Sequence, residues 1–140
     1  MKVFIVYCHP SEDSFTRNVR DAFIKGIVDS GNEYVMSDLY KMNFKTGNKT
    51  MKVLEKALIL CTAGKNLNDL KNLGFLDCMK KVMLGDRLFN RVKESVFIVL
   101  DGMSKALDSR KTNWDKYLDI AYRKGYKFAR TGCTSAFKHA

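Results

Sequence analysis

The feature that most constrains this chain is the way its hydrophobic period changes along the sequence. Lys2 to Cys8 is an unbroken apolar run of β-branched and aromatic residues, the composition of a strand covered on both faces. A polar stretch follows, His9-Pro10-Ser11-Glu12-Asp13. The apolar residues then change step. Phe15, Val19, Ala22, Phe23, Gly26 and Ile27 recur at three- and four-residue intervals, which predicts a helix capped by Ser14 and stopped near Gly31. Glu33 to Ser37 predicts a short second strand. Asp38 to Lys52 is polar, with a turn expected over Gly47-Asn48-Lys49-Thr50. Lys56 to Thr62 predicts a buried strand ending in Ala63-Gly64. A helix is expected over Asn68 to Leu84, with Gly74 a weak point after which it could begin. Ser95 to Leu100 predicts a further strand, and Trp114, Tyr117, Leu118, Ala121, Gly125 and Phe128 mark a last amphipathic helix. Thr131 to Ala140 has no clear period and is expected to fray. Strand and helix alternate in the manner of an α/β protein with a mainly parallel sheet.

Length and composition narrow the class. The 140 residues suit a single domain with a sizeable core, and 46% apolar with 29% charged residues is the balance of a globular chain. No run approaches the roughly 18 apolar residues of a membrane span, and the amino-terminal run lacks the features of a signal peptide. A cytoplasmic location is the expectation. Cys8, Cys61, Cys78 and Cys133 form no C-x-x-C pair and have no histidine at zinc-finger spacing, so reduced structural thiols are expected. The net charge of +10 is dispersed over helix faces and loops without a Lys/Arg-rich run. That pattern fits a solvated basic surface that also draws in anionic cofactors, rather than a nucleic-acid interface.

In open α/β sheets, ligands bind beyond the carboxyl ends of the strands. His9 to Thr16 and Thr62 to Asn66 are the two informative loops at that end. The first runs into a helix amino terminus, where free amides and the helix dipole attract phosphate, and Ser11, Ser14 and Thr16 add hydroxyls. Glu12 and Asp13 act against an anion there unless they point away. An ordinary capped turn is the competing reading. Neither G-x-G-x-x-G nor a Walker sequence occurs, which disfavours a dinucleotide Rossmann site and a P-loop.

Lys2 to Pro10 followed by Ser14-Phe15-Thr16 resembles the opening strand and H-P-x-x-x-S-F-N loop of the NAD(P)H:quinone oxidoreductase family. Ser37-Asp38-Leu39-Tyr40-Lys41-Met42-Asn43-Phe44 resembles the S-D-L-Y-x-M-x-F segment after the second strand of that family. Lys56 to Gly64 is similar to the strand leading to its T-T-G or T-A-G flavin loop. Gly74 to Leu88 matches bacterial members in spacing and polarity. The resemblance implies a flavodoxin-like three-layer α/β/α sandwich. His9, Ser14, Phe15 and Thr16 would hold the phosphate or pyrophosphate of FMN or FAD, with Thr16 in place of the usual asparagine. Thr62, Ala63 and Gly64 would approach the polar edge of the flavin ring, and Lys65 would lie where a positive charge favours the reduced, anionic flavin. For His9 a loop-anchoring role is the alternative, and for Lys65 an ordinary surface lysine.

One family unit has no counterpart. Members carry a third strand and helix, with an aromatic P-x-W-W or P-x-W-F segment against the flavin ring. Here only Asp38 to Lys52 joins the second strand to the next, and the chain has one proline, Pro10, and one tryptophan, Trp114. A strand–helix excursion needs roughly 30 residues, about twice what the gap offers. The expected domain is therefore a single flavodoxin-like one of about four strands, internally shortened between residues 38 and 55. Its first strand would pair directly with the Lys56–Thr62 strand, or another chain would supply the pairing in a homodimer with exchanged elements. The resemblance implies a flavin-dependent oxidoreductase moving hydride from NAD(P)H to a quinone-type acceptor, with no side chain acting as catalytic acid, base or nucleophile. The alternative is a non-catalytic remnant of the fold serving as a binding or oligomeric module.

Overall fold

The computed structural model describes residues 2–41, 54–88, 91–128 and 130. They fall into two compact units, Met1–Asn48 with Trp114–Ala140, and Lys49–Asn113.

The first unit is built on β1 (Lys2–Tyr7) and β2 (Glu33–Asp38), joined by α1 (Phe15–Asp29). The strands run parallel and in step, from Lys2 opposite Glu33 to Tyr7 opposite Asp38. Alternation along β1 sends Val3 and Tyr7 inward, where both are buried with Phe15, Val19 and Ile27 of α1 and Tyr117 and Ala121 of the last helix, α4 (Ser109–Phe128). Each large apolar side chain hidden this way contributes about 1.5–3 kcal/mol. Ser14 caps α1 as its residue type leads one to expect, with Oγ accepting from the Arg17 amide at 3.1 Å. The helix stops at Gly31, whose φ of 76° is the left-handed conformation that glycine takes without strain.

α1 and α4 touch through two glycines. A methyl group on Gly26 would collide with the Tyr122 carbonyl oxygen and stand 2.7 Å from the Tyr126 amide nitrogen. One on Gly125 would collide with the Phe23 carbonyl. Flanking this seam, the Phe15 ring lies 4.7 Å from Trp114 and 6.4 Å from Tyr117, and Phe23 lies 6.1 Å from Phe128, all tilted ring pairs.

The second unit pairs β3 (Leu54–Thr62) with β4 (Val92–Leu100), again parallel. Between them come α2 (Leu67–Asn72) and α3 (Phe75–Lys80), and α3 runs on as wider π-helical turns over Lys81–Leu88. The single helix expected over Asn68 to Leu84 is broken at Gly74, whose φ is 72°. Leu70, Leu76, Leu100 and Met103 form this unit's buried core.

Among the described residues β1 pairs with β2 in the first unit and β3 with β4 in the second. One expectation needs correction: β1 is not covered on both faces. Phe4 and Val6 are 61% and 57% exposed, and Val35, opposite Phe4, is 43% exposed. An apolar run says that a strand can be buried on both sides, but the covering layer must come from elsewhere in the chain. The expected turn at 47–50 and the fraying of 131–140 lie outside the described residues.

Candidate functional site

The carboxyl end of β1 opens into the first loop. His9 is partly buried and anchors the loop locally, its Nδ1 accepting from the Ser11 amide at 3.1 Å. Ser14 is the helix cap, and its carbonyl also receives the Arg17 and Asn18 amides at 3.1 and 3.2 Å. Phe15 is 7% exposed, and its ring packs on Trp114 and Tyr117. What Phe15 can offer an anion is therefore its backbone amide. Thr16, partly buried, follows in the first helical turn. The loop thus delivers the amino-terminal end of a 15-residue helix to the carboxyl end of a parallel strand. No acidic residue stands in the first turn to oppose an anion.

Glu12, which the sequence makes an obstacle to anions, is engaged. Its carboxylate lies 2.9 Å from Arg17 Nη1 and 2.7 Å from Lys41 Nζ. The hydrogen bond with Lys41 and the charge of Lys41 hold the Glu12 carboxyl below its ordinary range against desolvation, with lesser help from the charges of Arg17 and Arg20.

The second loop leaves β3 at Thr62. The Ala63 amide donates to the Leu100 carbonyl at 3.0 Å, closing the ladder. The next three carbonyls are then taken in turn: Ala63 accepts from Met103 at 3.0 Å, Gly64 from Ser104 at 3.2 Å and Lys65 from Gly102 at 2.9 Å. Asp101 completes the stitching, with Oδ2 accepting the Leu67 amide at the start of α2 at 2.6 Å. Gly102 has a φ of 66°, and a Cβ there would meet Ser109 Oγ at 3.1 Å, so glycine is required. Gly64 is different. It is exposed, and a Cβ would meet nothing nearer than Ser104 Cβ at 3.7 Å, an ordinary contact. The fold does not itself demand a glycine at that position. Lys65 is exposed beside it.

His9, Ser14, Phe15 and Thr16 therefore come together at one strand end, and Thr62, Ala63, Gly64 and Lys65 at another. The loop of Asp101 to Ser104, which fixes the second of these, escaped the sequence reading. Its signal was present: an Asp-Gly pair directly after the apolar run ending at Leu100, where an α/β sheet turns toward ligand. Arg17 and Lys41 were likewise unmarked.

No family model matches the sequence, and no curated protein matches it. Among solved structures the chain is similar to an NAD(P)H:quinone oxidoreductase from Methanothermobacter marburgensis. The TM-score is 0.78 and the identity 26%, over 94% of this chain and 98% of that chain. Two parallel ladders with their connecting helices, and this likeness, make the chain an α/β protein of flavodoxin-like fold whose resemblance is to the NAD(P)H:quinone oxidoreductase family.

Proposed function

We propose that this chain is an oxidoreductase of the quinone reductase type that binds FMN or FAD and takes NAD(P)H and a quinone-like molecule as substrates. The likeness to a solved NAD(P)H:quinone oxidoreductase supports the general kind. The observation that carries the flavin reading is the first loop. Ser14 caps a long helix at a strand end, with the carboxylate of Glu12 held by two cations. Those features fit a phosphate-bearing cofactor, and the exposed Gly64, which the fold does not require, fits close approach by the edge of a ring.

Flavin, when bound, supplies the hydride chemistry, so the protein's share is position and electrostatics. His9 and Ser14 fix the shape of the first loop, and the amides at the start of α1, with Thr16, would hold the phosphate. Thr62, Ala63 and Gly64 would offer their backbone to the ring, and Lys65 would add positive charge favouring the reduced state. We take the chain to be one shortened flavodoxin-like domain that acts in the cytoplasm as a homodimer.

One observation favours the second reading, a non-catalytic module. Phe4, Val6 and Val35 leave an apolar strip open, while Trp114 packs on Phe15 instead of being available to a ring. Titration of FMN and FAD, followed by quenching of flavin fluorescence, separates the two. Quenching together with menadione-dependent oxidation of NADPH is expected. Absence of both would leave the module.

A further inference from the structure

The second loop spends its backbone groups unevenly. The carbonyls of Ala63, Gly64 and Lys65 are all taken by amides of the Gly102–Ser104 loop, and the Ala63 amide goes to Leu100. The amides of Gly64 and Lys65 have no partner among the described residues, and both residues are exposed. The free backbone edge of the loop is therefore made of donors alone. Such an edge suits an acceptor or an anion.

Asp101 decides where that run of donors stops. The Leu67 amide is turned onto Asp101 Oδ2 at 2.6 Å, across 34 residues of sequence. A hydrogen bond to an ionised acceptor is among the stronger ones open to a backbone amide. Asp101 directly precedes Gly102, whose amide holds the Lys65 carbonyl at 2.9 Å and whose carbonyl accepts from Ser109 Oγ at 3.3 Å. One side chain thus bolts the end of β4 to the start of α2, with Gly64 and Lys65 fixed in the span ahead of it. Capping is not its task, because α2 has its own cap in Asn66, whose Oδ1 accepts from the Asp69 amide at 2.8 Å.

We propose that Asp101 is a positioning residue, whose hydrogen bond to the Leu67 amide keeps the Gly64 and Lys65 amides free and aligned, and so sets how much more firmly the loop grips a reduced, anionic flavin than an oxidised one. This rests on the flavin reading for its ligand, whereas the bolt itself is read without one.

Leu67→Pro is the test from the donor side. Proline suits the first position of a helix, and Asn66, with ψ of 163°, already has the extended conformation that a following proline demands. This variant deletes the hydrogen bond and keeps the carboxylate charge, while Asp101→Asn deletes the charge and keeps an acceptor. Without ligand, hydrogen exchange at the Gly102, Met103 and Ser104 amides quickens about tenfold in Leu67→Pro, the worth of one hydrogen bond to a charged group. In Asp101→Asn it stays close to wild type. With FMN bound, Leu67→Pro loses about tenfold more affinity for the reduced than for the oxidised form, a fall of about 30 mV in the two-electron midpoint potential. Asp101→Asn shows no such fall. A residue that only stabilised the fold would lower Tm and weaken both forms alike, leaving the midpoint of Leu67→Pro at the wild-type value. Should the proline variant not fold, Asp101→Ala takes its place, compared with the equally uncharged Asp101→Asn. The role is overturned if exchange or midpoint in Leu67→Pro matches wild type, or if Asp101→Asn lowers the midpoint as far. Wild-type protein that binds neither FMN nor FAD sinks the flavin reading and this role together. Wild type that binds FMN, with an unaltered midpoint in Leu67→Pro, sinks this role alone.

Discussion

Replacing Gly26 with alanine tests the packing of the first unit most sharply. The added methyl would meet the Tyr122 carbonyl oxygen head-on and lie 2.7 Å from the Tyr126 nitrogen. Both are backbone atoms of α4, so no side chain can swing aside. α1 and α4 must separate by about 1 Å, which also loosens the pairs of Phe15 with Trp114 and of Phe23 with Phe128. Overpacking typically costs about 1–3 kcal/mol, and a rigid backbone obstacle places this site at the upper end. Alanine's better helix propensity returns about 1 kcal/mol. The net loss is about 2 kcal/mol, equivalent to a fall in Tm of roughly 5–8 °C for a chain of this size. Gly85→Ala is the control, because nothing lies within 4 Å of a methyl there and the backbone is not left-handed. It should be neutral or stabilising by up to about 1 kcal/mol. Urea unfolding followed by circular dichroism reads both. If Gly26→Ala unfolds at the same denaturant concentration as the wild type, or a higher one, the close helix contact is not present in solution.

Two other outcomes follow from the first loop. Phe15→Ala should cost about 3–5 kcal/mol by calorimetry, since its ring is core; a wild-type Tm with impaired flavin binding would mean that the ring faces the ligand instead. Glu12 has a folded-state pKa below its ordinary 4.5, chiefly because of Lys41, so its stabilising effect is present above that pH and lost as pH falls through the depressed value. The Tm gap between wild type and Glu12→Gln should accordingly close on acidification from pH 7 to pH 3, and a gap that widens would contradict the pairing.

Much of the fold was legible because local chemistry and global structure agree. Ser14 caps where a serine before an amphipathic run should, and Gly31 ends the helix it was expected to end. The stripes containing Gly26 and Gly125 were visible as apolar faces, but a helical period identifies a face, not the partner it meets. Leu54–Thr62 and Val92–Leu100 extend two and three residues before the expected strand starts, because ladder pairing carries residues such as Glu55 and Lys93 that no apolar pattern marks. The candidate loops were found by their position after apolar strands. The stitching by Asp101 and Gly102 and the bridge from Lys41 to Glu12 were not, since both join residues distant in sequence through hydrogen bonds and charges that leave no periodic trace.

The uncovered strip of Phe4, Val6 and Val35 has a practical corollary for handling the protein. With +10 net charge, mutual repulsion opposes the indiscriminate sticking of such strips to one another. Electrolyte shortens that repulsion from about 10 Å at 0.1 M to about 3 Å at 1 M, while leaving hydrocarbon attraction intact. For this chain, concentrated salt is an invitation to colloidal clumping, and a low-ionic-strength store is the gentler choice.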